Sequence, residues 1–196
     1  VTNPTGGTTI PSIGPSLGVL GTKTAWRCSS LSLTGNNSLM ILGDVTLVLS
    51  APSGSSALSM AGNAQIIIPS GSSLTIYTEG EVTIAGQGLA NNNIQPSSFQ
   101  LWGTNQSVAG QNIQISGNGA LRSIVYAPNA DVKINGNGDV MGSVVARTIT
   151  LVGNAAFHYD EALENFGDNS TFGVDKWREL TTPAQKATYE NKFHGW

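Results

Sequence analysis

The sequence predicts an all-β fold: a right-handed parallel β-helix, or single-stranded solenoid, closed by a short α-helical C-terminal cap. Three observations carry that expectation. One short phrase recurs six times between Leu31 and Asn154, β-forming runs fill the intervals between its copies, and the last forty residues change composition abruptly. Internal repetition of this kind is the signature of stacked coils.

The phrase is apolar, any residue, apolar, small or polar, Gly, then Asn or Gln. It occurs as Leu31-Ser-Leu33-Thr-Gly35-Asn36, Leu58-Ser-Met60-Ala-Gly62-Asn63, Val82-Thr-Ile84-Ala-Gly86-Gln87, Ile113-Gln-Ile115-Ser-Gly117-Asn118, Val132-Lys-Ile134-Asn-Gly136-Asn137 and Ile149-Thr-Leu151-Val-Gly153-Asn154. Period-two alternation puts the two apolar side chains on one face of a strand and the residue between them on the other. Glycine and asparagine tolerate the left-handed backbone that turns the chain sharply afterwards. The intervals between the phrase glycines are irregular from Gly35 to Gly117, then shorten from Gly117 through Gly136 to Gly153 and settle near the length of one solenoid coil. An antiparallel sandwich also shows many short strands with turn signals. Stacked coils, unlike a sandwich, require the same phrase in the same phase.

Each region follows from this frame. Residues 1–24 hold three prolines, five glycines and no period, and read as a linker or loosely docked arm that follows an earlier segment such as a signal, an anchor or another domain. Residues 25–156 form the β-solenoid, with further strands at Leu39–Leu42, Val45–Leu49, Gln65–Ile68, Leu74–Tyr77, Leu121–Tyr126 and Val140–Ala146, and a loop at Leu89–Ser98. Six coils make a column about 30 Å tall at the ~4.8 Å spacing of strands. In it Asn36, Asn63, Gln87, Asn118, Asn137 and Asn154 lie within reach of an amide ladder. Residues 157–196 hold seven acidic and four basic side chains, more than half of the chain's 21 charges, and read as a helical cap over an open end. Thr182-Pro183-Ala184-Gln185 is a capping box that starts a helix over Pro183–Phe193. Shorter helical turns are expected at Asp160–Asn165 and Val174–Leu180.

Composition excludes several functions. The formal net charge is −3 and only 11% of residues are charged, so nucleic acid and anionic membrane surfaces find no basic patch. Gly, Ser, Thr and Asn account for 80 of 196 residues, yet 39% of the chain is hydrophobic, enough for a core. No apolar run reaches the roughly 18 residues of a membrane span. The single Cys28 rules out an internal disulfide or a thiolate zinc cluster and reads as a small buried residue.

The stretch Val144-Val-Ala-Arg-Thr-Ile-Thr-Leu-Val-Gly-Asn-Ala-Ala-Phe-His-Tyr-Asp-Glu-Ala-Leu163 resembles the end of the uncharacterised β-rich domain of PilX-type pilus-assembly proteins and related bacterial envelope proteins. The resemblance implies export and a place at the cell envelope, with no established activity. Those proteins normally begin with a hydrophobic pilin-like helix, which this chain does not carry. A weaker resemblance, on Gly138-Asp-Val-Met-Gly142-Ser-Val-Val-Ala146, is to bactofilins, polymer-forming β-helix proteins whose ends stay open for stacking.

Candidate chemistry is sparse. Asp131, Lys133, Asp139 and Arg147 form the richest charged patch, and polysaccharide enzymes need such carboxylates beside a cation. Alternation places Asp131 and Lys133 opposite Val132 and Ile134, facing solvent, where an exposed ion pair is the simpler expectation. His158, Tyr159, Asp160 and Glu161 lack metal-ligand spacing, so Phe157 and Tyr159 are expected to pack under the last coil while the acids start a helix. Asn-x-Ser/Thr at Asn36, Asn105 and Asn169 is explained by composition. Of the four tryptophans, Trp177 and Trp196 suit the cap, and of Trp26 and Trp102 the latter, which follows the 89–98 loop, is the candidate ligand surface. The expected function is therefore non-catalytic: a secreted or envelope structural, adhesion or assembly module without metal or cofactor, its partner an envelope protein or a surface glycan. A polysaccharide-binding or polysaccharide-degrading β-helix and a bactofilin-like polymer are the alternatives.

Overall fold

Alternating apolar residues fold into short strands stacked in parallel, as the computed structural model describes for residues 8–9, 14–85, 87–117, 121–136, 139–154 and 156–163. The chain divides into two units; these residues belong to the first, Val1–Phe166, and the second, Gly167–Trp196, lies outside them. Strand β1 (Thr8–Thr9) pairs with Trp26 and Arg27. The chain then winds around three sides. The first side holds the beginnings of β2 (Ser16–Cys28) and β4 (Ser38–Leu49), followed by β6 (Gln65–Ile68) and β9 (Gly88–Asn91). The second holds the ends of β2 and β4, then β7 (Ser73–Thr78), β10 (Phe99–Gly103) and the middles of β12 (Leu121–Gly136) and β13 (Asp139–Gly153).

The third side is the phrase itself. It stacks β3 (Leu31–Leu33), β5 (Ser56–Met60), β8 (Glu81–Ile84), β11 (Gln111–Gly117) and the ends of β12 and β13. Every pairing among the described strands is parallel, which makes the sheet a β-solenoid of about five turns from β3 to the end of β13. Equivalent phrase positions meet across each turn despite their unequal spacing: Leu31 opposes Leu58, Leu58 opposes Val82, and Val82 opposes Ile113. Ile113 opposes Val132, which opposes Ile149. The longest interval between phrases, from Val82 to Ile113, carries two excursions between strands: Asn92–Ser98, with a 3-10 turn at Pro96–Ser98, and the stretch 104–110. Excursions lengthen a coil without disturbing its stacking.

Inward side chains of the three sides form one core of Leu, Ile, Val and Met, with Phe99 its largest fully buried side chain. Cys28 is buried in the first coil, and burial pushes its thiol pKa up. Gly142 marks the tightest approach: its φ is +139°, and a Cβ there would lie 1.9 Å from the Ser123 carbonyl oxygen. No side chain but hydrogen fits.

The boundaries differ from the sequence reading in three places. The first coil starts at Ser16, inside the expected linker of 1–24. That half of β2 is mostly exposed and lacks apolar alternation, because it lies near the start of the column with few neighbours to bury it. Gly88–Asn91 is a strand, so the expected loop at Leu89–Ser98 begins only at Asn92. At the other end, Ala156–Tyr159 is β14, a further strand paired with Asp139–Gly142, and Phe157 and Tyr159 are exposed instead of packing under the last coil. A single 3-10 turn, Glu161–Leu163, falls within the turn expected at Asp160–Asn165. The helices expected at Val174–Leu180 and Pro183–Phe193 lie outside the described residues, as do Trp177 and Trp196.

Candidate functional site

On the second side, strand alternation that sends Leu74, Ile76, Phe99, Leu101 and Val125 inward sends Tyr77, Trp102 and Tyr126 outward. Parallel register then makes them neighbours: Tyr77 opposes Trp102, and Trp102 opposes Tyr126. The Tyr77 and Trp102 rings are 6.0 Å apart and inclined by 18°, while Trp102 and Tyr126 are 5.1 Å apart and tilted by 43°. Such spacings follow from the distance between coils, and offset or tilted rings suit the aromatic quadrupole. Val48 continues the row below Tyr77 and Val145 above Tyr126. All three rings are half-buried.

A polar row runs beside the rings, through Thr46, Thr75, Gln100 and, beyond Ile124, Ser143. Gln100 is held from both sides. Its Oε1 accepts the Trp102 indole N–H at 3.2 Å, and its Nε2 donates to the Ser97 carbonyl at 3.0 Å. The indole is thereby fixed in one orientation by a neighbour itself anchored to the excursion. Farther out, Ser73 Oγ donates to Asp44 Oδ1 at 3.0 Å. An apolar row beside fixed hydroxyl and amide groups is the surface that ligands with both C–H faces and hydroxyls require.

Trp102 stands at the centre of this row. Tyr77 and Tyr126 escaped the sequence reading, although a second phrase announces them: Leu74-Thr-Ile-Tyr77, Phe99-Gln-Leu-Trp102 and Ser123-Ile-Val-Tyr126 end alike in an aromatic. The expected amide ladder forms its first rung, with Asn63 Nδ2 donating to Asn36 Oδ1 at 3.1 Å. Beneath that rung the turns stack through Asn63 N–H to the Gly35 carbonyl, at 2.8 Å. Gln87 and Asn154 are exposed at the corresponding corners of later coils, and Asn118 and Asn137 lie outside the described residues.

Other amides, unmarked by the phrase, brace the remaining corners. Asn105 Nδ2 lies within hydrogen-bonding distance of Ser53 Oγ, the Glu79 carbonyl and the Gly110 carbonyl, while its Oδ1 accepts from Ser107 N–H. Gln111 Nε2 donates to the Thr78 and Gly80 carbonyls, and Asn91 Nδ2 to those of Gln95 and Arg122. Each joins successive coils where the backbone leaves the sheet. Their residue type was visible in the composition, but most of their partners belong to other coils, far away along the chain.

The charged patch is a surface brace. Asp131 and Lys133 face outward as alternation requires, but the ion pair joins Asp131 to Arg147 of the next coil, with the Thr148 hydroxyl also donating to Asp131. That hydroxyl, and next the Arg147 guanidinium, hold the Asp131 carboxyl below the usual aspartate range. Glu81 Oε1 accepts from Asn112 Nδ2 at 3.1 Å, and Asn112 in turn opposes Asp131, so an amide stands between the two acids. Among the described residues, no three His, Cys, Asp or Glu side chains gather as a metal-holding group. No described helix is long and apolar enough to cross a membrane.

A family model, described as a domain of unknown function (DUF7305), matches residues 30–166. No curated protein and no solved structure matches the chain.

Proposed function

The chain belongs to the DUF7305 family, and from that premise we propose a non-catalytic module of the cell envelope or cell surface that holds a glycan along its flank. The observation that carries this reading is the row Tyr77–Trp102–Tyr126, backed by Thr75, Gln100 and Ser143. Aromatic surface takes up the C–H faces of sugar rings, and the adjoining hydroxyls and amide meet their hydroxyl groups. No acidic side chain lies in the aromatic row or in the polar row beside it, so hydrolysis has no acid–base pair at this surface. The likeness of Val144–Leu163 to envelope proteins of the PilX type supports the location.

The test is retention on a panel of immobilised bacterial and plant polysaccharides, with and without calcium, while new chain ends are followed in solution. The expected result is retention without cleavage, with Trp102→Ala lowering affinity about tenfold, the equivalent of roughly 1.4 kcal/mol. Trp102→Phe should keep most of it. Circular dichroism reports whether each variant keeps its fold. Release of chain ends, or no retention on any polysaccharide, overturns the reading.

A further inference from the structure

Resting on the glycan reading, we propose that the chain held on the second side is an anionic polysaccharide, lying along the column with its acidic groups toward Lys23, Arg27 and Arg122. Register gathers on this side charges that the sequence scatters. Arg27 opposes Val48, which opposes Tyr77, so Arg27 stands in the aromatic row two strands before its first ring. Lys23, four residues earlier on the same strand, opposes Asp44, and Asp44 opposes Ser73. Asp44 and Ser73 each precede the polar row by two residues, at Thr46 and Thr75. Arg122 precedes Ile124 by the same step and continues their row.

Among the described outward positions of the second side, Asp44 is the one acid set against these three cations. The flank is therefore positive in a chain whose formal net charge is −3. On the third side the signs balance, with Glu81 and Asp131 against Lys133 and Arg147. A neutral chain laid over the second side would strip water from its cations without pairing them, which costs free energy. An anionic chain pairs them instead.

The shape of the surface suits a polymer. Lys23, Asp44, Thr46, Ser73 and Thr75 line an open groove of about 370 Å³. Thr75 stands beside Tyr77 on one strand, so the groove runs into the aromatic row without a break. From the strand of Arg27 to that of Tyr126 the rows cross five strands, about 19 Å at the ~4.8 Å spacing between them, room for several linked sugars. Asp44 separates polysaccharide from nucleic acid. Its carboxylate accepts from Ser73 and can only accept, so it favours a chain that offers donors. Sugar hydroxyls are donors, and the phosphodiester backbone of DNA has none.

Retention of the full chain on two matched pairs of polymers tests the proposal: polygalacturonate and its methyl ester, dextran sulfate and dextran. The charged member of at least one pair should be held more tightly than its neutral partner, and salt should erase the difference by screening the cations. The two pairs distinguish carboxylate from sulfate as the group recognised. Lys23→Gln should lower affinity for the preferred anionic polymer about threefold, and Asp44→Asn should raise it by about as much. A gain does not arise from misfolding, so Asp44→Asn serves if Lys23→Gln disturbs the fold. Lys133→Gln, on the third side, should change neither. Equal retention of charged and neutral partners, unmoved by Lys23→Gln and Asp44→Asn, overturns the proposal and leaves the glycan reading standing. Tighter binding of oligo(dT) than of either anionic polysaccharide overturns it as well. So does retention on none of the four polymers, while the wider panel still decides the glycan reading.

Discussion

Asn105 sits buried on an excursion between two strands, where its side chain satisfies backbone carbonyls of two coils and the hydroxyl of Ser53. A buried donor so used is costly to lose, since carbonyls of two coils are left short of a partner. Asn105→Ala should therefore lower unfolding free energy by about 1–3 kcal/mol, measured by chemical denaturation. A change within error would show that the excursion is not a brace. Asp131 offers a contrast at the surface. Its carboxyl is held below the ordinary aspartate range by Thr148 and Arg147, so its contribution is present above that range and lost as pH falls through the lowered value. Asp131→Asn should melt lower than the parent at neutral pH, and the two melting curves should converge in acid. Persistence of the difference in strong acid would refute this account.

At the scale of elements, the strand phrase and its Gly-Asn turn are local and were legible as they stand. Alternation needs only the side chains of one strand, and the turn needs only one residue with a positive φ, as at Gly35 and Gly62. The glycines nevertheless differ in what confines them. Gly54, at φ +76°, has nothing within 4 Å of where a Cβ would be, whereas Gly142 meets the Ser123 carbonyl of the coil below. Gly54→Ala should cost about 1 kcal/mol, the strain of the left-handed backbone alone. Gly142→Ala should cost about 3 kcal/mol or more, because strain and collision add. Thermal and urea unfolding of the two variants would separate the causes, and equal losses would contradict them. The beginning of β2 and all of β14 were harder to read. Few inward side chains are buried in them, so no alternating stripe marks either in the sequence.

The solenoid as a whole is a column with a packed core and a decorated flank. Alternating side chains fill its core, and the aromatic row runs along the side across three successive coils. These features have different origins. The flank arises from register, which stacks one outward residue per coil, and the core from alternation, which sends the residues between them inward. Trp102→Ala on the flank should therefore change glycan retention, while Val108→Lys, on an exposed excursion outside the row, should leave it unchanged.

By itself, the sequence determined the parallel β-solenoid, because alternation, glycine turns and a phrase repeated in phase are properties of short segments and of their recurrence. It also placed Cys28 in the core and Trp102 at the surface. Only the tertiary structure decided which residues of different coils touch. The coils differ widely in length, the one from Val82 to Ile113 being far longer than the one from Val132 to Ile149, and stacking absorbs that difference in excursions. Distance along the chain therefore says little about distance across the column. Tyr77 meets Trp102 around a long coil and Asp131 meets Arg147 around a short one, each because parallel strands bring equal positions of unequal coils together.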